Sequence, residues 1–423
     1  DFHPSEVRYM CGLMADDKVF CSLVGVFGAS VLPFAFNVFS KAYRYEVALT
    51  SKGKTEIYAD DGVGCVLERY LTSEMKSSKK VIEKILGEDS VEENKNVSGT
   101  IVDVIGWRLN LELKTVSISS KNLDKAMFCL FNIDLSKDVS LLQLQKVSSY
   151  CSRYVIILEV MAPFLACIHR LMVGKVGLKG TFPISKEASW AIKMWRAVFY
   201  LLTVDEKQYG RPMESFRPRP PQYIIETDGS LKQVGIILYI ISKSREACIG
   251  GAAVGIMDFG FGKDSSFQNT AEYIGMVLGV LALVKAGIRD VDVLIRGDST
   301  AALAWITEGT MSGPSAINAA VVVTALCIRF GIRPRYSMFL SGLNNHKADN
   351  LSRQLEKNKT VRQVMIENGH EQAPIMDLTS CESTNTLIRM CDPKVKIDQE
   401  AEFAVLWQTV RDAMESITIV PLV

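Results

Sequence analysis

From Gln222 to Phe339 the order of apolar runs restricts the fold more than any other feature of the chain. Three strand-like runs come first, QYIIETDG, QVGIILYIISK and ACIGGAAVGIM. A helical pattern follows (AEYIGMVLGVLALVKAG), then a fourth strand-like run opening VDVLIRGDSTAALAWI, a second helix, and a short strand near Arg335 to Phe339. The order β-β-β-α-β-α-β fits a mixed sheet with helices packed on it. Four carboxylates punctuate it: Asp228 after the first run, Glu272 opening the helical pattern, Asp298 after the fourth run, and Asp349 closing GLNNHKAD. Brought together, such acids repel and raise one another's pKa, and oxygen-loving divalent cations relieve this.

Upstream stands a Pro- and charge-rich bridge, GRPMESFRPRPPQ, with Pro212, Pro218, Pro220 and Pro221. Its preference for extended geometry marks the expected domain boundary. Before it, LPFAFNVFSKAY turns helical after a Pro-marked start, and TEIYADDGVGCVL reads as a hairpin around an acidic turn. SEMKSSKKVIEKIL is an amphipathic helix with Ser73 as expected N-cap and Gly87 as stop. TIVDVIGWRL and KTVSIS form a second hairpin, and residues 121–202 are mainly helical.

The 423 residues, 48% of them apolar, allow two or three domains with real cores. A net charge of +1 neither supports nor excludes polynucleotide binding, so any basic surface is local. Candidates are Lys76, Lys79, Lys80 and Lys84, for which a solvated helix face is the plain alternative, and Arg211, Arg217 and Arg219. Ten cysteines without a CxxC pair and four histidines without zinc spacing point to reduced thiols. No signal peptide opens the chain, and the most apolar stretch, Tyr154 to Ile168, carries Glu159 and Pro163 and is too short to span a bilayer. The expectation is an intracellular protein, cytoplasmic or nuclear, without a membrane partner.

Tyr58-Ala59-Asp60-Asp61 resembles the catalytic turn of reverse transcriptases. The resemblance implies Asp60 and Asp61 as metal-binding positions and Tyr58 near a primer end. Leu32-Pro33-Phe34 resembles the family's LPFG segment beside template and nucleotide, with Ala35 in place of its glycine. Lys95 is similar to the lysine near the triphosphate, Ile105-Gly106-Trp107 to the primer-gripping hairpin, and LLQLQKVSSYCSRY to the thumb. In the family another metal-binding aspartate precedes a His-Pro by about ten residues. Here Asp1 stands too close to His3-Pro4, so the fingers and that ligand are expected to be missing and polymerase activity lost.

The acidic order Asp228, Glu272, Asp298, Asp349 resembles the ribonuclease H family, whose carboxylates hold two divalent cations. Glu272 is expected at a helix start, favoured by the dipole, and Ser299 or Thr300 as the cap of the helix after Asp298. Ala348-Asp349-Asn350-Leu351-Ser352-Arg353 and GDSTAALAWITEG resemble segments of gypsy-like and DIRS-like retroelements, with Ser299 and Glu308 replacing two asparagines. Phe339 stands where the family often has a histidine that aids product release; His346 lies on the other side of Gly342 and reads as a surface residue. Asn345 joins Pro33, Phe34, Ala35, Gly106 and Trp107 as a candidate contact to nucleic acid or nucleotide.

The fold class expected is α+β and α/β multidomain: a partial reverse transcriptase palm (1–120), a helical thumb or connection (121–202), a Pro-rich linker (203–221), a ribonuclease H-like mixed β-sheet with flanking helices (222–353), and a C-terminal tail (354–423) whose strongest element is EAEFAVLWQTVRDAMESI. The resemblance implies two-metal hydrolysis of the RNA strand of RNA–DNA hybrids with Mg2+ or Mn2+. Expected partners are the hybrid or other nucleic acid, with no small-molecule cofactor beyond metal and dNTP. The competing reading is a non-catalytic nucleic-acid-binding scaffold or a decayed relic.

Overall fold

Pro33 stands at the head of a run with no further Pro or Gly before Gly53. It starts helix α1 (Leu32–Thr50), because its fixed φ suits the first turn, where a missing N–H leaves nothing unpaired. The computed structural model describes residues 12–15, 18–21, 32–58, 61–175, 180–204, 210–217, 219–256, 267–309, 311 and 314–391. The chain divides into two units, residues 1–105 and 106–423.

In the first unit β1 (Gly12–Ala15) and β2 (Lys18–Cys21) pair as a hairpin, as do β3 (Lys54–Tyr58) and β4 (Asp61–Cys65). Helix α2 (Leu71–Leu86) follows a 3-10 turn, so its N-cap is Tyr70 and not the expected Ser73, whose hydroxyl donates to the Tyr70 carbonyl. Gly87 does end that helix. The unit closes with β5 (Ile101–Val104). Among its described residues the only buried apolar side chains are Tyr43 and Val47.

The second unit opens with β6 (Trp107–Asn110) and β7 (Thr115–Ile118), an antiparallel pair to which β10 (Arg211–Pro212) adds. Between them lie the helices α3 (Ser120–Phe131), α4 (Leu141–Val155), α5 (Ala162–Met172) and α6 (Lys186–Val204), and a short pair, β8 (Val139–Ser140) with β9 (Thr181–Phe182). Helix α4 begins in a capping box, Ser140 with Gln143. Tyr154, Trp195 and Phe199 interlock beneath Trp107, the Tyr154–Phe199 centroids 4.9 Å apart in edge contact.

The main sheet has the order β13-β12-β11-β14-β15, built from β11 (Tyr223–Gly229), β12 (Gln233–Ser242), β13 (Arg245–Gly255), β14 (Asp292–Gly297) and β15 (Arg333–Phe339). The three hairpin-linked strands are antiparallel, and β14 and β15 join parallel. This is the ribonuclease H-like mixed sheet. One face carries α7 (Gln268–Lys285), buried from Thr270 through Val284 as its all-round apolar sequence requires. Helices α8 (Thr300–Glu308) and α9 (Pro314–Phe330) pack against α7, and α10 (His346–Ser352) lies on β12 and β11.

One hydrophobic core runs from Ile118 to Cys391 through the helical segment and the sheet. The Pro-rich bridge is tied into this unit. The Arg211 guanidinium is buried, ion-paired to Glu159 at 3.0 Å, bonded to Ser215 and stacked on Phe216. Thr324 Oγ1 donates to the Val160 carbonyl at 3.0 Å, and Arg170 to that of Met311 at 2.8 Å. The division after Ile105 therefore does not coincide with the boundary expected at 203–221.

Residues 354–391 form a strap. Helix α11 (Val361–Glu367) closes a small core with Ile224, Ile237 and Leu351. Gly251 N then donates to the Pro374 carbonyl and Met376 N to the Gly251 carbonyl, a parallel bridge on the free edge of β13. Helix α12 (Glu382–Cys391) ends against α9, with Leu387, Ile388 and Cys391 buried. The expected helix over 400–417 lies outside the described residues. Among the described residues no helix is long and apolar enough to cross a membrane.

Candidate metal centre

Asp228 sits next to the last residue of β11, and Asp298 directly follows β14, the strand parallel to β11. In open sheets such carboxyl ends of adjacent strands are where ligands gather. Glu272 approaches from α7. Each of the three offers a carboxylate oxygen, and these oxygens all lie within 4.8 Å of one another.

Glu272 reaches the strands because Gly229 has no side chain: a Cβ there would stand 2.7 Å from Glu272 N. Its Oε2 accepts the Gly229 N–H at 2.8 Å and its Oε1 the Gln268 amide at 3.0 Å. The helix begins at Gln268, so Glu272 lies a full turn inside it, not at the dipole-favoured start that its sequence suggested. Asp228 is buried; its Oδ2 accepts from the Ser352 hydroxyl and its Oδ1 from Asn345 Nδ2 at 3.4 Å. Asp298 is followed by Ser299, the cap of α8, whose hydroxyl accepts Ala302 N–H and donates to Asn269 Oδ1 at 3.0 Å.

Burial pushes the Asp228 carboxyl up to about 6, with the charges of Asp298 and Asp349 adding to the rise and Ser352 opposing it. Glu272 goes up to about 9, by burial first and then by Asp228 and Asp298. Asp298 is raised by burial and by Asp349. A trio of crowded, desolvated carboxylates is the oxygen donor set that a hard divalent cation satisfies.

Asp349 does not join this trio. It lies in the first turn of α10 with its Oδ1 held by Arg353 Nε at 2.6 Å. Asn345, expected at a nucleic-acid surface, is fully buried and donates to the Thr227 carbonyl at 3.1 Å. Its Oδ1 has no hydrogen-bond partner among the described residues. Phe339 is 54% exposed and pairs in register with Gly297, beside Asp298. His346 is exposed, its Nδ1 3.2 Å from the Leu343 carbonyl.

Of the polymerase-like residues, Asp60 lies outside the described residues, and Tyr58 and Asp61 are partners in the β3–β4 register. Pro33, Phe34 and Ala35 fall in the first turn of α1. Lys95 is exposed and ion-paired to Glu92 at 2.5 Å. In the second unit Trp107 packs on Tyr154, and the Gly106 carbonyl accepts Ser119 N–H and the Asn122 amide.

Sequence reasoning missed Gln268, Ser352 and Glu226. Gln268 had a signal, lying four residues before Glu272 on one helix face. Glu226 shares a strand face with Asp228, is buried, and stands in register with Arg296, which grips Glu246 through two bonds of 2.8 and 2.5 Å. Burial raises the Glu226 carboxyl, and Arg296 opposes that rise.

No protein-family model matches the sequence, and a search of curated proteins finds no relative. Solved structures do match. Ribonuclease H1 of the halophilic archaeon Halobacterium salinarum NRC-1 is 16% identical, covering 32% of this chain and 96% of that one, with a TM-score of 0.25. A ribonuclease H domain from Mycobacterium tuberculosis is 19% identical over 33% of this chain and 96% of that one, TM-score 0.26. The foamy viral protease-reverse transcriptase, solved in complex with an RNA/DNA hybrid, is 14% identical over 79% of this chain, TM-score 0.35; the match spans 42% of that longer chain.

Proposed function

We propose that the second unit is a ribonuclease H-type nuclease of retroelement origin, DIRS-like or gypsy-like, that hydrolyses the RNA strand of RNA–DNA hybrids. One observation carries the reading: Asp228 and Asp298, at the ends of adjacent parallel strands, and Glu272, from α7, place carboxylate oxygens within 4.8 Å of one another. These three would hold Mg2+ or Mn2+. When bound, such cations supply activation of water and neutralisation of charge at the scissile phosphate. The chain's own residues do the rest. Gly229 N–H and Gln268 orient Glu272, Asn345 donates to Asp228 Oδ1, and Ser299 fixes the turn that carries Asp298. The segment Ala348 to Arg353 and the sheet order support the retroelement assignment.

The test is cleavage of a labelled RNA–DNA hybrid by the full chain with Mg2+ or Mn2+, against single-stranded RNA and against Asp298→Asn. Hybrid-specific cutting that falls at least a thousandfold in the variant supports the proposal. Cutting that survives Asp298→Asn sinks the site assignment. One observation favours a non-catalytic, nucleic-acid-binding reading: Asp349 is engaged by Arg353 outside the trio. Hybrid binding without cleavage under either metal would establish that reading.

A further inference from the structure

We propose that Ser352 is a positioning residue for Asp228, holding one carboxylate oxygen so that the other lone pairs face the cation. The inference rests on the metal-centre reading above. Asp228 is buried, and both of its oxygens are addressed from the segment around α10: Asn345 donates to Oδ1 and the Ser352 hydroxyl to Oδ2. A carboxylate has about four lone-pair sites, so two remain for a ligand.

Ser352 itself is 2% exposed and is pressed into place by the backbone. Asp228 and Gly235 are register partners on β11 and β12. At Gly235 a Cβ would stand 2.4 Å from the Ala348 carbonyl oxygen and 2.6 Å from Ser352 N. The bare glycine thus lets α10 lie against the strand beside Asp228. The Ser230 hydroxyl lies 3.1 Å from the Ser352 carbonyl and fixes the end of the helix from the other side.

The Ser352 hydroxyl also lies 3.0 Å from the Asp349 carbonyl, the back-bond that a serine near a helix end makes without any functional role. With one proton it donates to one acceptor at a time, and a carboxylate is the stronger one. The two roles differ in outcome. A back-bond affects the helix; a bond to Asp228 affects cation binding.

The experiment is calorimetric titration of the full chain with MnCl2, counting only the heat that disappears in Asp228→Asn, alongside thermal unfolding in EDTA. Ser352→Ala is expected to fold and to bind Mn2+ 10–100-fold more weakly, the usual loss when a group orienting a metal ligand is removed. A folded Ser352→Ala with parental Mn2+ affinity overturns the inference and leaves the back-bond as the role. Should Ser352→Ala not fold, Ser352→Cys, of similar size but a weak donor, is titrated in the same way with the same two readings. A parent chain that takes up no Mn2+ removes the metal centre and this inference with it, whereas loss of the inference alone leaves parental binding intact.

Discussion

Glu272→Gln should make the cation-free protein more stable at pH 8 while abolishing its response to metal. Glu272 has its carboxyl raised from 4.5 to about 9. It therefore keeps its proton in the fold and gives it up on unfolding, so the associated stability is full below pH 4.5 and drains away as pH rises towards 9. At pH 8 that cost reaches about 5 kcal/mol, taking 1.36 kcal/mol per unit over roughly 3.5 units. Glutamine carries no such cost. It loses one acceptor facing Gly229 or Gln268, about 1–2 kcal/mol, which leaves a net gain on the order of 3 kcal/mol. At pH 5 the titration cost falls to about 1 kcal/mol, and the advantage vanishes. Urea unfolding in EDTA, followed by tryptophan fluorescence, reports the second unit, because the described tryptophans 107, 190, 195 and 305 all lie there. Excess Mn2+ should stabilise the parent by about 3 kcal/mol at a hundred times Kd and the variant far less. A variant less stable than its parent by the same amount at pH 5 and pH 8 would refute the argument.

Other outcomes follow from single contacts. Gly235→Ala forces a methyl against the Ala348 carbonyl and should cost about 1–3 kcal/mol in chemical unfolding, with Mn2+ affinity falling alongside. Arg211→Ala removes a buried guanidinium from the Phe216 ring and strips Glu159 and Ser215 of a partner; a loss of about 2 kcal/mol is expected in the same assay. Phe339→His should raise multiple-turnover hybrid cleavage several-fold and leave the single-turnover rate unchanged, since the exposed Phe339 pairs in register with Gly297, the residue before Asp298, and takes no part in the trio's hydrogen bonds.

The element order of 222–353 was legible because apolar periodicity there switches cleanly between strand and helix, with Gly, Ser and Lys at the turns. The frames around Asp228, Glu272, Asp298 and Asp349 carry the expectation of four gathered acids; three of them cluster, while Asp349 is held by Arg353. What escaped depends on distance in sequence. Ser352 and Asp228 are 124 residues apart, and nothing local to either reports the contact. The start of α7 was misplaced because its first turn, Gln268 to Thr270, is polar and lies outside the apolar pattern. Ser73 reads as a cap, but the 3-10 turn at Glu68–Tyr70 starts the helix earlier. Proline density in the bridge predicts extended backbone, as Arg211–Pro212 is, yet cannot announce that Arg211 is buried and pairs with Glu159.

The strap across β13 also sets a schedule for making the protein. Gly251 leaves the ribosome with its outward N–H and C=O unpaired, and the residues that take them, Pro374 and Met376, are polymerised about 125 residues later. At bacterial to eukaryotic elongation speeds this interval lasts roughly 6–25 s. Throughout it an apolar strand stands open, able to recruit a strand from a neighbouring nascent chain. A ribosome that stalls or terminates inside that window releases a sticky intermediate, so the molecule is most vulnerable during its own synthesis.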